Sequence, residues 1–320
     1  MEKIVRINDD FINASGDFRE LIAALKSGFA SSDIITPLRS HHDFPNPEVG
    51  PDSTLLMMPA WNPGKEAGVK IATVSPDNGK FGLPSVQGIY VLLDALSGSI
   101  KATIEAKSLT TKRTAAASAL ASFYLSHPES SSMLMMGTGA LSTNLIQAHS
   151  SVRPIKNVYI WGRDPEKAER IASSLTDNGY QIEVVPSIEE IITEVDIISC
   201  ATLSKTPLVL GKFLRPGQHV DLVGSYKRDM READDETISR ASVFVDTLHG
   251  ALKESGDLVI PLQNGVLKVS DIKGDLFGLC SNTVKGRATA AEITVFKSVG
   301  HALEDLVAAS YYYKKFMHGK

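Results

Sequence analysis

Between about residue 131 and residue 290, short apolar runs alternate with helical patterns. Met133-Leu134-Met135-Met136 precedes a glycine-rich turn and the segment TNLIQAHSSV, and Val158-Tyr159-Ile160-Trp161 precedes GRDPEKAERIASSL. IEVV at 182–185 precedes SIEEIITE, and three more apolar runs follow at 196–202, 219–224 and 242–247. Strand, helix, strand at this spacing predicts a parallel, doubly wound sheet. Local signals agree: Asp164-Pro165 is a cap followed by proline at the first helical position, and Gly179 stands where that helix should stop.

Residues 1 to about 115 have a different rhythm. Phe18, Leu21, Ile22 and Leu25 recur at helical spacing, which predicts a helix over 17–30. Thr36 to Pro51 is rich in Pro, His and Asn and reads as loop, while 54–58, 68–75 and 88–96 read as strands. The segment PDNGKFGLPS is a turn-rich connection. Residues 105–125 are helical from their Ala and Leu content. The last stretch, 288–320, reads as one amphipathic helix, with Ile293, Phe296, Val299, Gly300, Leu303 and Leu306 on a face that needs a partner. It is expected to return onto the N-terminal part.

Bulk properties narrow the function without choosing one. The 320 residues are 43% hydrophobic and 22% charged, which is ordinary for a globular chain and long enough for two domains. A net charge of −4 gives no basic stripe for a nucleic-acid partner. No apolar run approaches the roughly 18 residues that span a bilayer, and the first residues lack a secretory layout. Cys200 and Cys280 stand apart without a CxxC pattern, so two reduced thiols in a cytoplasmic protein are expected.

The chemistry starts at Gly137-Thr138-Gly139-Ala140-Leu141-Ser142, after an apolar strand and at the start of a helix. In that context the glycines permit a tight turn and close approach of backbone to a pyrophosphate, and the helix N-terminus offers free N–H groups. A dinucleotide site is expected. At the tip of the next strand, Arg163 is the first side chain placed to reach the adenosine ribose, which favours NADP(H) and leaves NAD(H) possible. The alternative has Arg163 as a solvated loop charge and Asp164 serving the ribose.

Three basic residues sit in informative settings. Lys70 interrupts the apolar run Gly68-Val69-Lys70-Ile71-Ala72, so it lies either on an exposed strand face or in a cleft. Arg113 opens an alanine-rich helix, where a guanidinium can hold a carboxylate with two bonds. Arg39 lies in the loop before His41 and His42. Adjacent histidines in a strand point to opposite sides, and no acidic or Cys partner sits at ligand spacing, so no metal is expected.

These segments together resemble the ornithine cyclodeaminase/mu-crystallin family. The resemblance runs through Leu55 to Trp61, Gly68-Val69-Lys70, Gly82-Leu83-Pro84-Ser85, Leu109 to Ala116 and the Gly137 turn. It continues through Val223-Gly224-Ser225, Asp229-Met230-Arg231-Glu232 and Thr294 to Gly300. It implies an α/β chain: a Rossmann-type doubly wound parallel sheet at 116–291, beside a discontinuous α+β dimerisation and substrate domain at 1–115 plus 292–320. It also implies a homodimer and a substrate cleft between the domains. The resemblance assigns the acid/base to Lys70, the substrate carboxylate to Arg39 and Arg113, and a cleft-lining role to Ser85. Cofactor contacts would fall on Thr114, Gly137, Thr138, Gly139, Ala140, Leu141, Arg163, Thr202, Val223, Gly224 and Ser225.

One departure redirects the expected activity. Cyclodeaminases carry an aspartate, which engages the substrate amine, where this chain has Tyr226. Members without it include ketimine and Δ1-pyrroline-2-carboxylate reductases and archaeal-type alanine dehydrogenases. The resemblance therefore implies NAD(P)H-dependent reduction of a small cyclic imino acid, foremost Δ1-pyrroline-2-carboxylate to L-proline. The alternatives are cyclodeamination, amino-acid dehydrogenation, and a mainly ligand-binding role like that of mu-crystallin.

Overall fold

A computed structural model describes residues 4–47, 50, 52–176 and 179–319. The chain forms two compact units, Met1–Arg113 with His301–Lys320, and Thr114–Gly300.

The first unit opens with β1 (Val5–Ile7), α1 (Asp9–Ser15) and α2 (Phe18–Ala30). The helix expected over 17–30 forms because Asp17 caps it, accepting a hydrogen bond from the Arg19 amide at 2.7 Å, and because Leu21, Ile22 and Leu25 share a buried face. Five further strands follow: β2 (Ser40–Phe44), β3 (Ser53–Asn62), β4 (Glu66–Val74), β5 (Val86–Asp94) and β6 (Ile100–Glu105). The sheet order is β1-β6-β5-β4-β3-β2, antiparallel except for β1 with β6. Strand β2 lies where a loop was expected. Its sequence, Ser-His-His-Asp-Phe, has no apolar alternation because it is an exposed edge strand. Met58, Lys70, Tyr90 and Ile104 pair across neighbouring strands and share one buried face. Met57, Val69, Ile71, Ile89 and Val91 share the other and are partly exposed. The helix α3 (Ala106–Leu125) then leads out of this unit.

The second unit is built on eight parallel strands: β7 (Ser132–Met136), β8 (Asn157–Trp161), β9 (Gln181–Val184), β10 (Ile197–Cys200), β11 (His219–Leu222), β12 (Ser242–Val245), β13 (Gly274–Asp275) and β14 (Thr294–Lys297). Their order is β13-β12-β14-β11-β10-β7-β8-β9, and every pairing is parallel. The order reverses between β7 and β10, the switch point at which doubly wound sheets bind ligands. Helices α4 (Ser142–Val152), α5 (Pro165–Ser174), α6 (Asp235–Arg240), α7 (Leu248–Glu254), α8 (Gly256–Gln263) and α9 (Leu276–Cys280) connect the strands. The central strands are buried along their whole length, so their sequences are continuous apolar runs rather than alternations.

Two expectations fail here. SIEEIITE is not a helix: Ile192 bonds back to Ile188, but the segment continues as successive turns. Residues 288–301 are not helical either. Thr294–Lys297 is β14, wholly buried in the sheet interior between β11 and β12. Four residues are too few to show a period, and Gly300, at φ +83°, breaks the chain before the true helix α10 (Ala302–His318). Helix α10 returns to the first unit and packs on α2, β3, β4 and β5. Leu303 and Leu306 are buried there, so the partner for that face lies within the unit. Among the described residues no helix is long and apolar enough to cross a membrane, and both cysteines are buried and unpaired with each other.

Candidate active site

Within the first unit, β4, α3 and α10 bring four charged side chains together out of water. The Lys70 ammonium lies 2.9 Å from Oδ1 and 2.8 Å from Oδ2 of Asp305. Arg113 donates from Nε to Asp305 Oδ1 at 2.9 Å and from Nη1 to Glu304 Oε2 at 2.7 Å. Lys70 and Arg113 are each 5% exposed, and the two carboxylates are fully buried. The sequence alternative of Lys70 on an exposed strand face is therefore excluded. Gly68, two residues earlier on the same face, leaves room for the Tyr90 ring. A methyl group there would sit 2.3 Å from the Tyr90 hydroxyl.

Burial first, then the positive charges of Arg113 and Arg39, brings Lys70 down to about 8, against the opposing pull of Asp305. Asp305 is held below the usual carboxylate range by Arg113 and Lys70, which overcome its burial. The result is a lysine able to exchange a proton near neutral pH beside a guanidinium fixed by two carboxylates. Arg39 is half-buried, and its charge acts on both Lys70 and Asp305. Ser85 is exposed, and its hydroxyl donates to the Pro76 carbonyl at 3.4 Å rather than to this cluster. Sequence reasoning missed Glu304 and Asp305. The available signal was two adjacent acids inside the apolar run Ala302 to Ala309, since charges are rarely buried unless paired.

In the second unit the Gly137 turn joins β7 to α4. Gly137 has φ +114°, and a methyl group on it would stand 2.6 Å from the Ala201 carbonyl, so the turn lies against the end of β10. A methyl group on Gly224 would stand 2.0 Å from the Thr202 carbonyl, which packs the ends of β10 and β11 together. Gly139 differs: a side chain there would meet nothing within 4 Å. Ser142 ties the turn by donating to the Gly137 carbonyl at 2.8 Å. The cradle thus has a rigid base and open space above Gly139 at a helix N-terminus, which fits a dinucleotide pyrophosphate. Thr138 packs beneath Gly162, Ala140 is exposed, and Leu141 stands at the N-cap of α4. Thr114 is buried in α3.

A buried network that sequence reasoning also missed supports these strand ends. Glu232 accepts hydrogen bonds from the Thr202 amide and hydroxyl at 2.7 and 2.9 Å, from the Gly224 amide at 2.7 Å and from the Ser225 amide at 3.1 Å. The Lys297 ammonium stands 3.0 Å from Asp257, which in turn accepts from the Glu232 amide at 2.6 Å. Burial pushes the Glu232 carboxyl up, against the pull of Lys297. Val223, Gly224 and Ser225 are buried; Glu232 fixes the last two, and the Val223 amide donates to the Cys200 carbonyl at 2.8 Å.

Four positions singled out in the sequence remain. Asp164 accepts from the Glu166 amide at 3.1 Å and caps α5, while Arg163 beside it is exposed. Tyr226 is 38% exposed, and burial followed by the nearby Asp229 charge pushes its hydroxyl up, so it is neutral at physiological pH. Asp229 is paired with Lys205 at 2.7 Å on the surface.

Residues 37–320 match the ornithine cyclodeaminase/mu-crystallin family. The Δ1-pyrroline-2-carboxylate reductase of Paracoccus denitrificans is 35% identical over 87% of this chain and 90% of its own. The structure of the Thermococcus litoralis Δ1-pyrroline-2-carboxylate reductase in complex with NADH and L-proline is 31% identical. It superimposes with a TM-score of 0.92 over 99% of this chain and 98% of that one. An archaeal alanine dehydrogenase dimer with bound NAD is 25% identical, with a TM-score of 0.90 over 99% and 97% of the two chains.

Proposed function

Because this chain belongs to the ornithine cyclodeaminase/mu-crystallin family, we propose that it is a nicotinamide-dependent reductase of a small cyclic imino acid, converting Δ1-pyrroline-2-carboxylate to L-proline. The observation that carries this reading is the buried Lys70–Arg113 pair, a proton donor beside a carboxylate clamp, in a chain so similar to reductases of that substrate. Arg113 commits Nε and Nη1 to Asp305 and Glu304. Its Nη2 takes no part in those bonds and is the part of the fork that holds the substrate carboxylate, with Arg39 adding a second positive charge. Lys70, protonated below about 8, gives the imine nitrogen the proton that the product amine carries. When bound, the dinucleotide supplies the hydride. Gly137 to Leu141 hold its pyrophosphate, Thr114, Thr202 and Val223 to Ser225 contact the rest, and Ser85 lines the substrate side.

Tyr226 argues against cyclodeamination. It carries no charge to hold the amine of a diamino acid, and Asp229 is occupied by Lys205. A cyclic imine needs no such group, since its nitrogen is already in the ring. The test is a panel of Δ1-pyrroline-2-carboxylate, its six-membered homologue and ornithine, assayed with NADH and NADPH. Cofactor oxidation with the imines and little proline from ornithine is expected. Proline from ornithine at a rivalling rate would restore the cyclodeaminase, and binding of the compounds without turnover would favour a mu-crystallin-like role. Arg163, free of the capping task that Asp164 performs, supports a preference for NADPH. Arg163→Ala in the same panel should raise KM for NADPH more than for NADH, and equal effects would remove it from that role.

The open face of the first sheet supports a homodimer. Met57, Val69, Ile71, Ile89 and Val91 form a partly exposed apolar surface, which a second copy would cover through a two-fold contact. Light scattering at micromolar concentration should give twice the chain mass, and Ile89→Asp should lower it to one. A monomeric wild-type protein would contradict this assembly.

A further inference from the structure

We infer that Asp305 is a positioning residue of the reductase site: it fixes Lys70 and Arg113 in register with each other and keeps the Lys70 ammonium charged. The inference rests on the reductase reading above and adds a residue to its machinery. Asp305 Oδ1 accepts from Lys70 Nζ and from Arg113 Nε, both at 2.9 Å, and Oδ2 lies 2.8 Å from the same ammonium. One fully buried carboxylate thus spans the proton donor and the clamp. Glu304, its neighbour in the first turn of α10, takes the other side of the Arg113 fork.

A purely structural role explains this arrangement poorly. Buried ion pairs contribute little net stability compared with apolar side chains of similar volume, because desolvation offsets the attraction. The electrostatics favour a functional role. The groups acting on Lys70 are Arg113 from α3, Asp305 from α10 and Arg39 from the segment before β2; Tyr90 is its cross-strand neighbour on β5, and Glu304 bonds to Arg113. Met58, its neighbour on β3, is apolar. Without Asp305, Lys70 faces two guanidinium groups and would shed its proton near neutral pH.

Asp305→Asn keeps the shape and an acceptor oxygen but removes the charge. The pH profile of kcat/KM for imine reduction should keep its alkaline limb, moved down by about one unit or more, the shift expected for losing a counter-ion at this distance. kcat near neutral pH should fall, while KM for the imino acid should change little, because the retained acceptor oxygen still holds Arg113 Nε. Asp305→Glu should return the limb towards its wild-type position. Glu304→Gln, which weakens the 2.7 Å bond to Arg113 but leaves Asp305 on Lys70, should move the limb less than Asp305→Asn does. An unmoved limb in folded Asp305→Asn overturns the inference. A wild-type protein that does not reduce the imine overturns the reductase reading instead. The Asp305 inference is then read without turnover, from the Lys70 Cε carbon signal titrated in wild type and variant. If Asp305→Asn does not fold, the wild-type titration decides: a shared inflection in the Lys70 Cε and Asp305 Cγ signals supports the coupling, and independent inflections refute it.

Discussion

Lys70→Ala is expected to lower kcat/KM for imine reduction by about 10²-fold or more, the range for losing a general acid. Arg113→Ala should cost a similar factor, but more of it should fall on KM, since in the proposed reading the guanidinium holds the substrate and Lys70 moves the proton. The two variants differ in what they leave behind. Without Lys70, Asp305 still has Arg113 at 2.9 Å, and the buried cluster remains paired. Without Arg113, Glu304 and Asp305 lose the guanidinium bonds of 2.7 and 2.9 Å, and breaking a buried ion pair costs about 3–5 kcal/mol. The Arg113 variant should therefore melt well below the Lys70 variant, and rates should be compared at a temperature where both are folded. Unchanged kinetics in Lys70→Ala would leave the reductase standing and move its proton transfer to another residue.

The same assignment fixes the sign of the pH dependence. Lys70 must be protonated to act as an acid, and burial with Arg113 brings it to about 8. Imine reduction should thus be level below about 8 and fall roughly tenfold per pH unit above it. Lys70→Ala should abolish this limb. Stability runs the other way. Lys70 is depressed from an ordinary 10.5, so between about 8 and 10.5 the unfolded chain binds the extra proton, and this group's contribution to stability rises with pH.

The parts of the molecule that were readable from the sequence are those where one residue's setting carries the information. Runs such as Met133 to Met136 could be read as parallel strands because such strands are buried on both faces. The Gly137 turn could be read because its glycines follow such a run. Strand β2 was not legible, because its exposed edge gives Ser40 to Phe44 no apolar signal. Nor was β14, whose four buried residues, Thr294 to Lys297, stand between stretches of helical composition. The candidate site divides the same way. Lys70 and Arg113 stood out as cations in apolar surroundings. Their counter-ions, Glu304 and Asp305, lie about 190 and 235 residues away in sequence and meet them only through the packing of α10 on the first sheet. Glu232 hid in the same manner. Nothing in Arg231-Glu232-Ala233 announces a carboxylate that gathers donors from Thr202, Gly224 and Ser225.

The second large effect is expected at the glycine turn, where two substitutions of the same size should behave differently. Gly137→Ala places a methyl group 2.6 Å from the Ala201 backbone oxygen at a φ of +114°. The left-handed conformation alone costs about 1–3 kcal/mol, and the backbone carbonyl cannot move aside without shifting β10. This variant should melt well below wild type and lose dinucleotide binding with its fold. Gly139 has no positive φ, and an added methyl group there meets no atom within 4 Å. Without cofactor, Gly139→Ala should melt like wild type. Its methyl group would instead occupy the space in which a pyrophosphate approaches the start of α4. At a cofactor concentration about 100 times Kd, wild type should gain about 2.7 kcal/mol of stability by mass action. Gly139→Ala should gain little of it, corresponding to a loss in affinity of about 10²-fold. Thermal melts of the three proteins with and without NADH and NADPH separate the effects. A Gly139→Ala protein stabilised as strongly as wild type would show that the dinucleotide phosphates sit elsewhere than above this turn.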